Sequence, residues 1–557
     1  MQKLQQHYSK KHTPQSQPIP GSNQVKNNAG GYVYQITPWE QLDRFLILGT
    51  SGGTYYVNEN KLTRENAAVV EQCLMENYPK AVDRIVEISQ SGRAPKNDPT
   101  LFALALATSL PCPTSILDEP VPSKTEILKF ALAKVARTTT HLFTFLEYVK
   151  EFRGWGRCLR EIVKHWYDNH SVDQLAYQIV KYRQREGWTH LDVMNLSRPG
   201  NFESFKMGKD PYTKSQHDPI YRYLLGNNSD LDVQLGEDLP QIIRDFETLI
   251  HLEDNSIDKK RAISLLKENK GLTWEMLPTH FLKDPDIWKA LIPNLPLTAT
   301  MRNLGNMTAC GAILPGSDEQ RTVCEKLTNE EQIQKSRIHP LNVLVGMRTY
   351  ASGKGFKGNQ SWAPNQKIVD ALDQAFYMAF KNAEPTNKRI LIGLDVSGSM
   401  TYGSVAGIQC LNPREASGAL CMIHAKTEPN CEIMAFSEGF IPVEFSKRTR
   451  LDDVLKSIST MGFSGTDCSL PMLYAIQNNM KVDCFIIYTD NETWYGKVHP
   501  KQALDKYRRK FGIPAKLIVC AMTSTVFSIA DPQDKGMLDI VGCDSATPAL
   551  IRDFIMN

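Results

Sequence analysis

The sequence has no apolar run long enough to cross a bilayer, and its first 31 residues have neither an apolar core segment nor a single Asp or Glu. A membrane-inserted or secreted product is therefore not expected, and residues 1–31 are expected to form a disordered basic tail. The 12 cysteines include no C-x-x-C pair and several fall in apolar patterns. They read as reduced, buried thiols, which places the chain in the cytoplasm and nucleus. A strong charge of either sign is also missing, since 64 Lys and Arg against 61 Asp and Glu leave a net charge of +3. Any basic surface must be local. Two catalytic signatures are absent as well. No G-x-S-x-G elbow surrounds Ser397 or Ser399, and the glycine-rich stretch from Gly49 to Gly53 lacks the Lys-Ser/Thr of a nucleotide-binding loop.

What is present divides into two patterns within 557 residues, 41% of them hydrophobic and 22% charged. Residues 32–381 read as a series of short amphipathic helices. Their start signals are Thr37-Pro38-Trp39-Glu40, Ser123-Lys124-Thr125-Glu126 and Ser171-Val172-Asp173-Gln174. Paired helices joined by short loops suggest stacked α-repeats, although no clean sequence period marks them. Residues 201–241 are polar and aperiodic and read as a loop-rich insertion. In residues 382–557, strand-like runs at 390–395, 431–436, 484–489 and 516–522 alternate with helix-like runs at 414–426, 450–459, 468–479 and 500–511. Alternation of this kind predicts a doubly wound, mainly parallel sheet with its ligand crevice at the strands' carboxyl ends.

At one such end stands Asp395-Val396-Ser397-Gly398-Ser399, closing the apolar run from Ile390 to Leu394. A carboxylate and two hydroxyls at alternate positions converge on one point. Thr466, in Ser464-Gly465-Thr466-Asp467, and Asp490, in Thr489-Asp490-Asn491, add oxygens from two further loops. An oxygen-only set suits a hard divalent cation, Mg²⁺ or Mn²⁺, rather than zinc. Read singly, the five-residue pattern is equally an N-cap followed by a turn. No histidine lies in these loops to act as a base, so ligand bridging fits better than catalysis, and the chain is not expected to be an enzyme.

A second constellation is basic. Lys181 and Arg185, four residues apart, are expected to share a face of a helix spanning 172–186. Arg157, Arg160 and Lys164 repeat that spacing on the helix before it. Adjacent cationic helices with Tyr182 and Trp188 nearby fit phosphate contacts and base stacking, whereas a solvated helix face would show the same stripe. His141 reads either as a packed core histidine or as an RNA contact, and Arg302 either as an ion-pair partner or as a cation facing a central hole. The cluster Lys506-Tyr507-Arg508-Arg509-Lys510 could mark nuclear import but also fits a solvated helix face.

The order Asp-x-Ser-x-Ser, then Thr, then Asp, each on a strand-to-helix turn, resembles the von Willebrand factor type A domain and its metal-ion-dependent adhesion site. The resemblance implies direct metal contacts from Ser397, Ser399 and Thr466, with Asp395 and Asp490 bound directly or through water. An acidic group of a protein ligand would take the open position. Further phrases resemble the module family shared by telomerase, Ro and vault proteins: Phe45 to Tyr56, Thr140-His141-Leu142-Phe143-Thr144-Phe145, Pro296 to Gly305, Arg337-Ile338-His339-Pro340 and Gly465 to Met472. That family implies a ring of HEAT-like helical repeats closed by the type A domain. It further implies small noncoding Y RNAs on the outer surface and single-stranded 3′ ends of misfolded noncoding RNAs in the hole. The protein would then be a monomer within an RNP, serving RNA quality control and RNP scaffolding. Lys181, Arg185 and Arg198 fall at the family's basic cluster, with one departure: its Leu-Ser-His phrase is here Leu196-Ser197-Arg198. Arginine keeps the charge but loses histidine's acceptor nitrogen. The competing class is a metal-dependent protein-interaction scaffold with no RNA role.

Overall fold

The computed structural model describes residues 12–49, 62, 64, 67–116, 119–209, 211, 213–226, 238–355, 360–380, 384–402, 405, 411–443, 445–461, 464–523, 525–542, 545 and 547–557. Most of the glycine-rich stretch, Thr50 to Gly53, and the rest of its phrase to Tyr56 lie outside them.

The helical part is set up by its capping residues. At Pro38–Leu48 the Thr37 hydroxyl accepts from the Glu40 amide and the Glu40 carboxylate accepts from the Thr37 amide. The same reciprocal box opens Lys124–Val135 at Ser123 and Val172–Lys181 at Ser171. From Tyr78 to Ser197 the helices stack chiefly on alternate neighbours, which produces two layers. Tyr78–Ser91, Lys124–Val135, Arg157–Asp168 and His190–Ser197 stack in one layer, and Pro38–Leu48, Asp98–Ser109 and Thr139–Phe152 in the other. This is HEAT-like stacking. The Asp98–Ser109 helix is buried from Pro99 to Thr108, as a helix apolar all round must be. Within it, the Phe102 ring lies 5.2 Å from both Tyr148 and Phe152 and 6.0 Å from Phe45.

The array closes on itself. At its far end Arg337 Nη1 donates to Gln90 O (3.5 Å) and Asn342 Nδ2 to Pro95 O (3.2 Å), 247 residues away in each case. Small two-stranded hairpins decorate the ring: β3 (Ser115–Ile116) with β4 (Glu119–Pro120), and β5 (Gln184–Arg185) with β6 (Trp188–Thr189). The second corrects an expectation. The helix placed over 172–186 stops at Lys181, because Glu186 (φ 51°) and Gly187 (φ 79°) both take the left-handed conformation that a two-residue hairpin turn requires. Arg157–Asp168 and Val172–Lys181 do not stack side by side either. The first packs on Lys124–Val135 and His190–Ser197, the second on Gln241–Ile250. The stretch read as a loop-rich insertion contains two short helices, Phe202–Lys206 and Asp218–Leu224; residues 227–237 lie outside the described set.

The C-terminal part is a doubly wound α/β domain. Its six strands run in the order β13 (Met537–Val541), β11 (Lys516–Ala521), β10 (Cys484–Thr489), β7 (Ile390–Asp395), β8 (Cys431–Phe436), β9 (Phe440–Pro442). All are parallel except β9. Alternate residues of β7 serve opposite layers: Ile390, Ile392 and Leu394 join the core shared with the helical ring, and Leu391 joins a second core beneath the Leu470–Gln477 and Pro500–Phe511 helices. Gly393 is needed for closeness, since a Cβ there would lie 2.7 Å from Pro471.

The expectation of a disordered tail fails from residue 12 onward. Residues 12–31 lie on the α/β domain, where β1 (Gln24–Lys26) pairs antiparallel with β2 (Tyr32–Gln35) and β2 pairs with β12 (Phe527–Ser528). Both ends of the ring are also pinned to this domain. Arg44, 1% exposed, donates to Thr525 O (2.8 Å), Thr525 Oγ1 (2.7 Å) and Phe527 O (3.1 Å) and pairs with Asp539. At the other end Arg348 pairs with Glu415, Arg450 with Asp370, and the Leu451 amide donates to Asp373. A buried cation with four partners cannot be removed without stranding them. Arg44→Ala is expected to cost about 3–5 kcal/mol, read as a lower urea midpoint, and Arg44→Lys, lacking the fork, should recover only part of it.

Candidate metal centre and nucleic-acid interface

Strand order in the α/β domain reverses between β7 and β10, the place where open α/β sheets form their crevice. Asp395 ends β7, and Asp490 follows β10. Both are fully buried, with Ser397, Ser399 and Thr466 at 1%, 5% and 2% exposure. Hydrogen bonds join the set. The Ser397 amide donates to Asp395 Oδ1 (2.9 Å), Thr489 Oγ1 donates to Asp395 Oδ2 (2.7 Å), and the Ser397 and Ser399 hydroxyls are 3.0 Å apart. Asp490 Oδ1 accepts from the Glu492 amide (3.0 Å). The Thr466 loop is tied to the loop after β10, with Thr466 O accepting from the Trp494 and Tyr495 amides at 3.1 and 3.0 Å.

Burial pushes the Asp395 and Asp490 carboxyls upward, and for Asp395 the neighbouring Asp490 charge adds to the effect. Asp490 Oδ2 is buried with no hydrogen-bond partner among the described residues. Two crowded carboxylates, three hydroxyls and an orphaned acceptor fit an oxygen-loving divalent cation. The domain's two histidines are engaged elsewhere, His424 with the Tyr488 hydroxyl and His499 with Gln17 O and Gln24. Neither serine therefore has an imidazole base at hand.

The basic residues are distributed differently from the expected single stripe. Lys181, at the last turn of its helix, donates to the Tyr177 hydroxyl (2.8 Å) and lies over the Tyr177 and Tyr182 rings at 5.0 and 5.2 Å. Arg185 sits on the β5–β6 hairpin, half exposed and 3.5 Å from Glu186. Arg198 closes the next helix in the left-handed conformation (φ 54°) and lies 3.3 Å from Glu203. Arg157 and Arg160 are exposed on their helix, with no carboxylate partner among the described residues, and Lys164 lies in the field of Asp168. Arg302 is exposed beside a cavity of about 390 Å³ between Leu297–Ala309 and Pro340–Ala351. His141 is largely buried at the start of Thr139–Phe152. Its Nδ1 has no partner, and burial together with Arg137 and Arg185 lowers its pKa to about 4.

Residues 389–555 match the Ro60 vWA domain family, and residues 25–225 and 234–349 match the TROVE domain family. The RNA-binding protein RO60 of Deinococcus radiodurans is 37% identical to this chain over 534 residues, 95% of either protein. The chain belongs to the Ro60 family. The RNA-binding protein RO60 of Caenorhabditis elegans is 34% identical over 585 residues, covering 96% of this chain and 90% of that one. The crystal structure of the Deinococcus radiodurans RO (RSR) protein aligns with a TM-score of 0.66 at 35% identity, covering 93% of this chain and 99% of that one.

Within this Ro60-family fold, sequence reasoning missed Gln15, which is wholly buried against the metal-site loops, and Arg137, which donates to Ser89 O (2.7 Å) near the ring's closing corner. It weighed burial for His141 but not for His190 or His424. His190, bonded to the Tyr167 hydroxyl, is pushed down to about 3, and His424 to about 4, both by burial. Because these folded-state pKa values lie below the unfolded value, the unfolded chain takes up protons first as pH falls. Stability should therefore be full above about pH 6.5 and drop by about 1.4 kcal/mol per pH unit per histidine between that pH and the folded pKa. Urea midpoints measured from pH 7 to 4.5 should show this fall, and His190→Gln, which does not titrate, should flatten it.

Proposed function

We propose that the chain is an RNA-binding ring that carries small noncoding Y RNAs on its outer surface and admits the single-stranded 3′ ends of misfolded noncoding RNAs to its hole. It acts as a monomer within an RNP in RNA quality control, in the cytoplasm and nucleus, and not as an enzyme. The observation that carries this reading is the setting of Lys181. Its ammonium is held by a tyrosine hydroxyl and two ring faces, with no carboxylate ion pair among the described residues, so its position is fixed while its charge stays available. Arg185 and Arg198 stand at the ends of the next two elements, each against one glutamate and each half exposed. Cations presented this way suit phosphate oxygens, and the flanking tyrosines suit unstacked bases. The relatives named RNA-binding proteins, similar over nearly their whole length, support the same conclusion.

A second activity accompanies the first. Asp395, Ser397, Ser399, Thr466 and Asp490 hold Mg²⁺ or Mn²⁺, and the metal's open position takes an acidic group from a protein ligand. The orphaned Asp490 Oδ2 supports this reading.

If Lys181 and Arg185 each neutralise a phosphate, replacing both with Ala should lower the magnitude of the slope of log affinity against log salt by roughly 1.5 to 2 units for a structured small RNA. Both changes should leave circular dichroism unaltered. An unchanged slope would return these residues to the role of a solvated surface. The hole is tested separately. At one salt concentration a duplex with a free 3′ tail should bind more tightly than the same duplex with a blunt end, because an A-form helix is too wide for a passage that admits one strand. Equal affinities would remove the hole from the mechanism and leave the outer surface intact.

A further inference from the structure

Two of the three loops that carry the metal-site oxygens are held together by the chain's own N-terminal segment. Gln15 is wholly buried. Its Nε2 donates to Asp467 Oδ1 and to Val498 O, both at 2.8 Å, and its Oε1 accepts from the Thr493 hydroxyl. Its backbone is fixed too, the amide donating to Gly496 O (2.9 Å) and the carbonyl accepting from the Tyr32 amide (2.8 Å). Asp467 directly follows Thr466, and Thr493 lies three residues beyond Asp490. A few residues further along, Asn27 Nδ2 donates to Thr493 O (2.8 Å), Asn28 Nδ2 to Glu492 Oε1 (2.7 Å) and the Ala29 amide to Glu492 Oε2 (3.0 Å). The fit leaves no slack. A Cβ on Gly31 would fall 1.9 Å from Thr493 O, and one on Gly496 would fall 2.2 Å from Gln15 Nε2 and 2.4 Å from Asp467 Oδ1.

None of these N-terminal groups belongs to the oxygen set itself. They bond the residues next to Thr466 and Asp490, as outer partners do when they orient metal ligands. We infer that residues 13–31 form a strap that presets the Thr466 and Asp490 loops for the cation, with Gln15 as the positioning residue. The inference rests on the metal reading above. A chain that had to order these two loops on binding would spend part of the binding free energy on that ordering; the strap supplies the order beforehand. Gln15 reaches across 452 residues of sequence to do so.

The test measures Mn²⁺ binding to the full chain by water-proton relaxation, beside circular dichroism and the unfolding temperature. Gln15→Ala should weaken Mn²⁺ binding by about tenfold while the protein remains folded. Gln15→Glu, which sets a carboxylate against Asp467, should weaken it at least as much. Asn28→Ala removes one part-buried bond to Glu492 and should give a smaller loss; it reports on the strap even if the Gln15 variants fail to fold. Folded variants that unfold at lower temperature yet bind Mn²⁺ within about twofold of the parent chain would overturn the inference, since the strap would then be structural alone. Asp395→Ala separates the two ideas. If it abolishes Mn²⁺ binding and the strap variants do not weaken it, the strap inference fails; if Asp395→Ala still binds, the metal reading itself fails.

Discussion

Two carboxylates without access to water, at the ends of neighbouring parallel strands, set the terms for the C-terminal domain. Asp395 and Asp490 are adjacent because β7 and β10 are hydrogen-bonded neighbours at the point where strand order reverses. Burial and mutual repulsion both act against their charges, so every group around them is a donor or a neutral oxygen. Thr489 and Ser397 supply a hydroxyl and an amide hydrogen to Asp395, and Asp490 Oδ2 has no donor among the described residues. The loops that bear these residues then have to be held from outside. This is where the helical ring and the N-terminal segment meet the sheet.

The same domain is the brace of the ring. Arg44, on the ring's first long helix, reaches β12 and β13 on one side, and Arg348, Asp370 and Asp373 reach the α/β helices on the other. The ring nevertheless closes independently through Arg337 and Asn342 onto the Gln90–Pro95 corner. Two closures in parallel explain why the apolar core is continuous from the ring through Ile390, Ile392 and Leu394. The cations between residues 157 and 198 stand on other helices and on the β5–β6 hairpin, not on the elements that make these junctions.

Much of this architecture could be read from local pattern. The apolar run before Asp395, the reciprocal caps at Thr37, Ser123 and Ser171, and the strand–helix alternation each have a physical signature within a few residues, and each formed as expected. What failed was non-local or too short. Helical spacing carried the 172–181 helix on to Arg185, although Gly187 beside Glu186 already marked a two-residue turn. The three-residue β9 shows no periodicity, and β13 carries a charged Asp539 that serves Arg44, a reason visible only in three dimensions. Residues 12–31 lack the apolar content that predicts order. They are fixed by amide side chains fitted to a loop more than 450 residues away, and no window of sequence contains that information.

Arg198 and Arg337 show how the same backbone feature can carry different meanings. Each ends a helix in the left-handed conformation, at φ 54° and 50°. Glycine would relieve about 1–2 kcal/mol at either position, so the guanidinium has to be what the position needs. For Arg337 the structure gives a direct reason, because its guanidinium spans the closing corner to Gln90. Arg198 caps its own helix, its amide donating to Met194 O (2.8 Å). It remains half exposed, with one glutamate at 3.3 Å, one turn of chain beyond the hairpin that holds Arg185. The carboxylate oxygen beside it, Glu203 Oε2, is itself buried, so the ion pair at 3.3 Å is what the fold sets against the strain of the left-handed conformation.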